Sequence, residues 1–423
     1  MSTPPVIQPV YRTPELDAPI RLFQGSVELR DGERPISIPN CTLDWIWQPK
    51  PRMVLRVPAP LVLGTSKVRF PGMHDDSTIL VYGRECLPTE PVVLRRSAHI
   101  VEADAVKFHL PSFPRYIGSS VTFGQGETAC RLSFEYQNWS IAIDAIDRDP
   151  ELVERAAQSS RYLLTHVGEI RRRDRSRVQS GELHGFLRKL RKLLSFLAGR
   201  WTSPVLLVGY RDGEIIWQEF RQTTTDPYDG IGSWWNPQNP AIASIAEPFL
   251  RKLDNPTWDM ALQRVMWWLF FANRQTAGTD GSLVLAQMAL EALAWYANEN
   301  VDWKVKRSEF KRMKTRERIR FLLRGCRIPT QIPEEASFLT EALQTSKDET
   351  DDKDGPYALV KIRNDLAHAV ETSKLLAPRV CMETLKLALT YIELSILYLI
   401  GYAGMYRHRC RPAIEEPVPW SEN

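Results

Sequence analysis

The spacing of apolar positions changes twice along the chain. Up to about residue 148 they come in short runs: CTLDWIWQ, RMVLRVP, STILVYG, EPVVLRR, SSVTFG and RLSFEY. These runs are rich in β-branched and aromatic residues and are bounded by Gly, Pro and Asp, which predicts strands. Sixteen of the 30 prolines fall in the first 120 residues, and proline disrupts a helix beyond its first turn. A sandwich or barrel-like sheet is therefore expected there. From Asp149 the pattern becomes helical. ELVERAAQSSRYLLTHVGEI carries apolar residues at helical spacing, and LHGFLRKLRKLLSFLAGR gathers Leu183, Phe186, Leu187, Leu190, Leu193, Leu194 and Leu197 on one broad face. Arg188, Lys189, Arg191 and Lys192 fill the other face.

A hairpin follows, SPVLLVGY and EIIWQEF around Arg211-Asp212-Gly213. It belongs with the N-terminal strands. Residues 222–256 read as irregular, with Trp234 and Trp235 in a loop. Beyond them the pattern is helical throughout. Thr257 is the expected N-cap of WDMALQRVMWWLFFANRQ, SLVLAQMALEALAWYANE is a second long helix, and a basic connector occupies 304–320. Pro333 opens PEEASFLTEALQTSK, PYALVKIRNDLAHAV follows an acidic loop, and a last helix runs from about Arg379 to Met405. The expected fold class is α+β. Residues 1–250 form a β-rich domain with added helices (about 150–200) and the hairpin, and residues 251–423 form an all-α bundle.

Composition narrows the function classes. The chain has 43% hydrophobic residues, 25% charged residues and a net charge of +4. It can bury cores without metal or disulfide staples, and a polyanionic partner is permitted but not required. None of the six cysteines forms a CxxC pair, which argues against a zinc knuckle or ribbon. Free thiols in a reducing cytoplasm are expected. The N-terminus lacks the build of a signal peptide. The apolar stretch 385–400 contains Lys386 and Glu393 and is shorter than the roughly 20 residues that a bilayer needs, so no membrane span is expected. No Walker loop, GxSxG elbow or GxGxxG after a strand is present, and the histidines, His74, His99, His109, His166, His184 and His408 among them, show no metal-ligand spacing.

The segment with chemical promise is Arg363-Asn364-Asp365-Leu366-Ala367-His368. Its helix buries Leu359, Ile362, Leu366 and Ala369. Asn364 and His368 stack at i and i+4, roughly 160° from Leu366 at about 100° per residue. Arg363 lies between the faces and can reach either way. On periodicity alone an ordinary solvated helix face explains this stripe.

Arg, a polar residue, three more residues and His, late in a helical domain, is similar to the RxxxxH signature of the HEPN superfamily. A preceding helix with ALEAL, a long following helix and a β-rich N-terminal region, with GFLRKLRKLLSFLAGR ahead of a hairpin strand, resemble its Apea-like branch. The resemblance covers the C-terminal domain best. It implies an HEPN-like bundle and metal-independent cleavage of tRNA or another structured RNA to 2′,3′-cyclic phosphate ends, within anti-phage abortive infection. Arg363, Asn364 and His368 would be catalytic, and Asp365 and Glu291 supporting. No cofactor or metal is implied. The implied partners are RNA, a second copy in a homodimer or higher even-numbered oligomer, and a phage-derived trigger sensed by the β-rich domain.

The residue types suit such chemistry. A histidine with an ordinary pKa of about 6.5 can move a proton at neutral pH, and an arginine stays charged beside a phosphate. Arg171, Arg172, Arg173, Arg175 and Arg177 form a cluster that could hold RNA backbone or be plain surface. Glu291, beside Gln287, could face the cleft or simply be solvated. Trp234 and Trp235 could stack bases or anchor a loop. Two other readings remain open. One is a non-catalytic HEPN-like module that binds a nucleotide or protein, with a β-rich sensing domain. The other is a carbohydrate- or peptide-binding β-domain with a helical dimerisation tail.

Overall fold

Alternating side chains in the first ninety residues close a barrel. β1 (Ile20–Arg30), β2 (Ile36–Ile46), β3 (Arg52–Arg56), β4 (Gly64–Arg69), β5 (Ser77–Tyr82) and β6 (Glu85–Pro88) pair antiparallel in the closed order β1-β2-β3-β6-β5-β4. Leu43, Trp45, Leu55, Val68, Ile79 and Cys86 fill its core, each fully buried. The computed structural model describes residues 3–30, 35–62, 64–73, 76–95, 101–124, 126–146, 149–230, 232–345, 353–367 and 374–421. His74, His99 and His368 lie outside them.

A second, open sheet follows. Its strands are β7 (Val92–Leu94), β9 (Ala105–Pro111), β10 (Ser119–Phe123), β11 (Gly126–Tyr136), β12 (Trp139–Ala145), β13 (Leu164–Arg172), β15 (Val205–Arg211) and β16 (Glu214–Phe220), while β8 (Glu102–Ala103) pairs with β14 (Val178–Gln179) alone. Among the described residues the order is β10-β11-β12-β13-β9-β15-β16-β7. The β15–β16 connection is the expected tight turn, with Asp212 and Gly213 both at positive φ (51° and 83°), as a primed two-residue hairpin requires. Helix α1 (Pro150–Ser159) is capped by Asp149 and ends at Ser160 in the left-handed region. The expected helix therefore stops there, and RYLLTHVGEI enters β13 instead. Gly168 supplies the reason. It sits opposite Phe108, whose ring occupies the space a Cβ would need, and glycine in a helix interior is unfavourable in any case.

Helix α2 (Ser180–Ala198) buries all the predicted leucines except Leu187, which is half-buried, with Phe186 stacked on Trp139 at 4.9 Å. Its basic face is not simply solvated, because Lys192 is 6% exposed. The next helix, α3 (Ile242–Lys252), lies in a stretch expected to be irregular. Ile242, Ile245, Ala246, Phe249 and Leu250 have helical spacing and are buried, but Pro248 obscures the pattern. α4 (Pro256–Arg274) begins one cap earlier than expected. Asn255, not Thr257, accepts from Thr257 N at 2.9 Å and Trp258 N at 3.4 Å, and Pro256 takes the first helical position. The bundle continues with α5 (Gly278–Asn300), α6 (Arg307–Arg312), α7 (Thr315–Gly325), α8 (Ser337–Gln344), α9 (Gly355–Ala367) and α10 (Pro378–Ile400), followed by a short ribbon, β17 (Met405–Arg407) with β18 (Glu415–Pro417). α8 starts four residues after Pro333, and α10 ends before Met405 because Gly401 at φ 80° closes it.

The architecture is thus α+β, a β-rich N-terminal region followed by a helical one. The chain forms two compact units. The first holds Met1–Ser195, Trp201–Gly230 and Pro237–Ala243, and the second holds Phe196–Arg200, Ile231–Asn236 and Ser244–Asn423. In the second unit α10 packs against α4, α5, α8 and α9 and is buried on nearly every side. That is the position of a core helix. No helix among the described residues is long and apolar enough to cross a membrane. Glu393, in the middle of α10 and 2% exposed, is held by Arg409 through contacts of 2.6 and 2.9 Å. Arg409 also donates to Gly232 O at 2.7 Å and Asn273 Oδ1 at 3.0 Å. Trp234, 1% exposed, donates its backbone N–H to Glu393 and packs between Phe196 and Tyr402. Both Trp234 and Trp235 are buried, so they anchor the loop and offer no platform for bases. All six cysteines are free, and burial pushes every thiol up, which suits inert packing residues.

In the first unit an N-terminal strap crosses the sheet. Val10 N and Tyr11 N both donate to His109 Nε2 at 3.1 Å, and Nδ1 lies 3.1 Å from Leu206 O. Nε2 must accept, so the proton sits on Nδ1 and the imidazole is neutral. Nearer the terminus, Val6 N donates to Thr122 O and Thr122 N to Pro4 O, at 3.0 and 2.9 Å. Burial lowers His109 to about 4 and His166 to about 3. The unfolded chain binds these protons below about pH 6.5 while the folded one does not. The stabilisation is complete above that value and declines as pH falls toward 4. Each histidine should remove about 1.4 kcal/mol per pH unit in this window. Urea unfolding at pH 7, 6, 5 and 4.5 should show the two contributions added, and His109→Gln should leave roughly half of the slope.

Candidate active site

The start of α9 is fixed at three points. Asp354 accepts from Tyr357 N at 3.0 Å and meets Arg320 of α7 through two bonds of 2.8 and 2.9 Å. Gly355 N donates to Thr330 O at 2.9 Å, and the Tyr391 hydroxyl of α10 donates to the same carbonyl at 3.2 Å. A Cβ at residue 355 would collide with the Tyr391 hydroxyl, so glycine lets helix and tyrosine meet. From this start α9 packs against α5, α7 and α10. Leu359 and Ile362 are buried as expected, and Ala358 with them, whereas Leu366 is only half-buried.

Arg363 is half-buried. Its Nη1 donates to Asn364 Oδ1 at 3.1 Å, and its Nε is buried with no hydrogen-bond acceptor among the described residues. Asp365, expected to support His368, has its described contact on the other side. It is 5% exposed and takes Lys361 Nζ at 2.9 Å, one turn back. One turn past Ile362, it falls on the buried flank of the helix instead of the polar stripe. His368 and Ala369 lie outside the described residues, so the structure brings together only Arg363 and Asn364 of the expected three.

Glu291 on α5 is not a solvated carboxylate. It accepts from Gln287 at 2.9 Å and Thr315 at 3.4 Å, and Arg318 lies 3.8 Å away. These contacts tie α5 to α7. Gln287 is 5% exposed, and its Oε1 has no donor among the described residues. Among the described residues no group of three or more His, Cys, Asp or Glu could hold a metal ion.

The arginine cluster of the first unit is largely neutralised. Arg171 pairs with Glu169 at 2.7 Å, Arg173 with Glu135 at 2.9 Å, and Arg177 lies 3.5 Å from Asp104 and 3.8 Å from Glu102. Arg172 pairs with Glu182 and stacks over Trp139 at 3.8 Å. Arg175, at φ 62°, has no ion pair among the described residues. A count of basic residues along the chain could not register this compensation, because the carboxylates come from β11, β13, α2 and the β8 region.

Sequence reading missed two constellations. Glu393 and Arg409 are one. The other is His184 of α2, whose Nε2 lies 3.0 Å from both oxygens of Glu219 on β16, with Arg221 also at 3.0 Å. Burial drives Glu219 up, but the hydrogen bond and charge of His184, with Arg221, outweigh it and leave the carboxyl lowered. A signal existed: Trp217 and Glu219 share one face of β16, so an acid stands where an inward side chain belongs.

Two family models match the chain. Residues 101–231 match one described as the YopA central domain, and residues 255–418 match one described as the YopA C-terminal domain. The first covers most of the open sheet with α1 and α2, and the second runs from just before α4 to the ribbon. The barrel strands lie outside both matches. The chain is also similar to the SPbeta prophage-derived uncharacterized protein YopA of Bacillus subtilis (strain 168). The identity is 28% over 327 residues, 75% of this chain and 72% of that protein. No solved structure matches.

Asp354→Ala tests how α9 is positioned. It removes a helix-start acceptor and leaves the Arg320 side chain, 12% exposed, without its carboxylate. The expected loss is about 3 kcal/mol, read from the midpoint of urea denaturation at unchanged slope. A loss within experimental error would show that the anchoring comes from Gly355 and Thr330 alone.

Proposed function

We propose that the chain is a metal-independent endoribonuclease of the HEPN type. It cleaves tRNA or another structured RNA with Arg363, Asn364 and His368 and serves in anti-phage defence. The observation that carries this reading is the Arg363 guanidinium. It is half-buried on α9, steadied by Asn364, and has a buried Nε without an acceptor, five residues ahead of a histidine. A preorganised cation of this kind stabilises charge that grows on a phosphate.

In the proposed reaction the 2′-oxygen of the RNA bonds to phosphorus and the bond to the 5′-oxygen breaks. His368 moves the proton from the 2′-hydroxyl or to the leaving 5′-oxygen. Arg363 balances the phosphate charge, and Asn364 orients Arg363. The products are a 2′,3′-cyclic phosphate and a 5′-hydroxyl. One motif supplies one histidine, so two copies in a dimer, or a higher even-numbered assembly, would complete the cleft. Asp365, bound to Lys361, supports the motif helix. Glu291 acts by holding α5 to α7. The prophage origin of the Bacillus relative is compatible with a role in conflict between phage and host, with a phage-derived trigger.

One observation favours a second reading, in which the helical bundle binds a nucleotide or protein without cutting. Four of the five arginines at 171–177 already face carboxylates, so they make a weak electrostatic footprint for RNA.

Purified full-length protein incubated with total RNA separates the two. Cleavage should persist in EDTA and leave ends that resist phosphatase until the cyclic phosphate is opened. His368→Ala and Arg363→Ala should each lose about 10²-fold or more in rate with unchanged circular dichroism. A requirement for magnesium, or wild-type cutting by a folded His368→Ala variant, would refute the nuclease reading.

A further inference from the structure

The first unit contains a cleft of about 590 Å³ between α2 and the β15–β16 hairpin, lined by no residue of the α9 motif. Its chemistry is cationic. Arg188, Arg191 and Arg221 line it, with His184, Glu219 and Thr223. The one carboxylate, Glu219, is already engaged by both His184 and Arg221. Its charge is therefore compensated within the wall, and the balance of the cleft is positive.

Arg191 is the decisive residue. Its guanidinium stacks on Trp201 at 4.5 Å, and both Nε and Nη2 are buried with no acceptor among the described residues. Burial pushes it down, and the charge of Asp226 only partly offsets this. Asp226 itself accepts from Trp201 N at 2.9 Å. Two buried guanidinium nitrogens without an acceptor are costly, so a further counter-charge in the cleft would stabilise Arg191. Thr223 adds a buried hydroxyl that also lacks a partner among the described residues. Gly181 and Gly185, one helical turn apart on α2, have nothing within 4 Å of an added Cβ and keep the mouth open. Opposite the charges the lining is apolar, from Pro204, Val205 and Leu207.

A fixed set of arginines facing an apolar wall suits a small molecule with a phosphate at one end and a flat or apolar body at the other. We propose that this cleft is a binding site for a phosphorylated small molecule of mononucleotide size, its phosphate held by Arg188 and Arg191 and its body laid on Pro204 and Leu207. The assignment does not rest on the nuclease reading, because none of these residues belongs to the second unit.

The test is calorimetric titration of the full chain with inorganic phosphate, AMP, unphosphorylated adenosine and a short single-stranded oligonucleotide bearing a 3′-phosphate. AMP should bind in the micromolar range and more tightly than inorganic phosphate, adenosine should not bind, and AMP affinity should fall with added salt. Arg188→Gln changes an exposed side chain and will fold; it should weaken AMP at least tenfold. Arg191→Gln should abolish binding, and should raise or leave unchanged the thermal midpoint, since an unpaired buried charge is removed. Three results would each overturn the proposal: no heat from either phosphate or AMP up to millimolar concentration, equal binding of AMP and adenosine, or wild-type AMP affinity in Arg188→Gln. Binding confined to the oligonucleotide would overturn it too, by making the cleft a strand-end site.

Discussion

The helical unit depends on one buried ion pair. Glu393 is a buried carboxylate of α10, in a position where an uncompensated charge would cost several kcal/mol. Arg409 returns from beyond the helix and meets both of its oxygens, then spends its remaining donor on Gly232 and Asn273. Asn273 in turn donates to Gly199 O and Gly232 O. Three stretches far apart in sequence, 196–200, 231–236 and 405–409, are thereby drawn onto the same helix. Tyr391, two residues before Glu393, sets the start of α9 through Thr330 and Gly355. The placement of Arg363 thus descends from α10, and α10 can be central because its charge is answered.

Legibility in the sequence followed the range of the forces involved. Elements governed by local chemistry could be read. Asp-Gly made its hairpin, the Pro-rich region became strands, and α4, α5 and α10 followed their periodicity. Errors arose where a distant group decided. The strand β13 has enough apolar residues to mimic a helix, and only the ring of Phe108 opposite Gly168 reveals why it pairs. α3 was hidden by Pro248. In the candidate site, Arg363 and Asn364 could be picked out by pattern. That Asp365 would turn to Lys361 and Glu291 to Thr315 could not, since both depend on how neighbouring side chains pack. The arginine cluster is the sharpest case, because its carboxylate partners sit up to about eighty residues away.

Charge is therefore used in two ways. On the rim of the open sheet, arginines and carboxylates answer one another and leave little field for a long polyanion. In the cleft beside α2 the answer is incomplete, and in α9 one guanidinium nitrogen lacks an acceptor among the described residues. Arg191 stands out among the described arginines with two buried guanidinium nitrogens that lack an acceptor, and it lies in the cleft proposed above for a phosphate. A sensing ligand in one unit and cleavage chemistry in the other would make a regulated effector, with each half assayable separately.

The N-terminal strap does more than seat against His109. β10 is an outer strand of the open sheet, and such a strand presents a row of unpaired amides that can template another chain. Pro4 and Pro5 lie along it, joined by Val6 N to Thr122 O and Thr122 N to Pro4 O. Proline has no N–H, so a strand that begins this way cannot pass the ladder onward. The barrel avoids the same hazard by closing on itself. The proline segment is therefore a terminator of sheet growth, and a chain trimmed of it would be prone to self-association through strand addition.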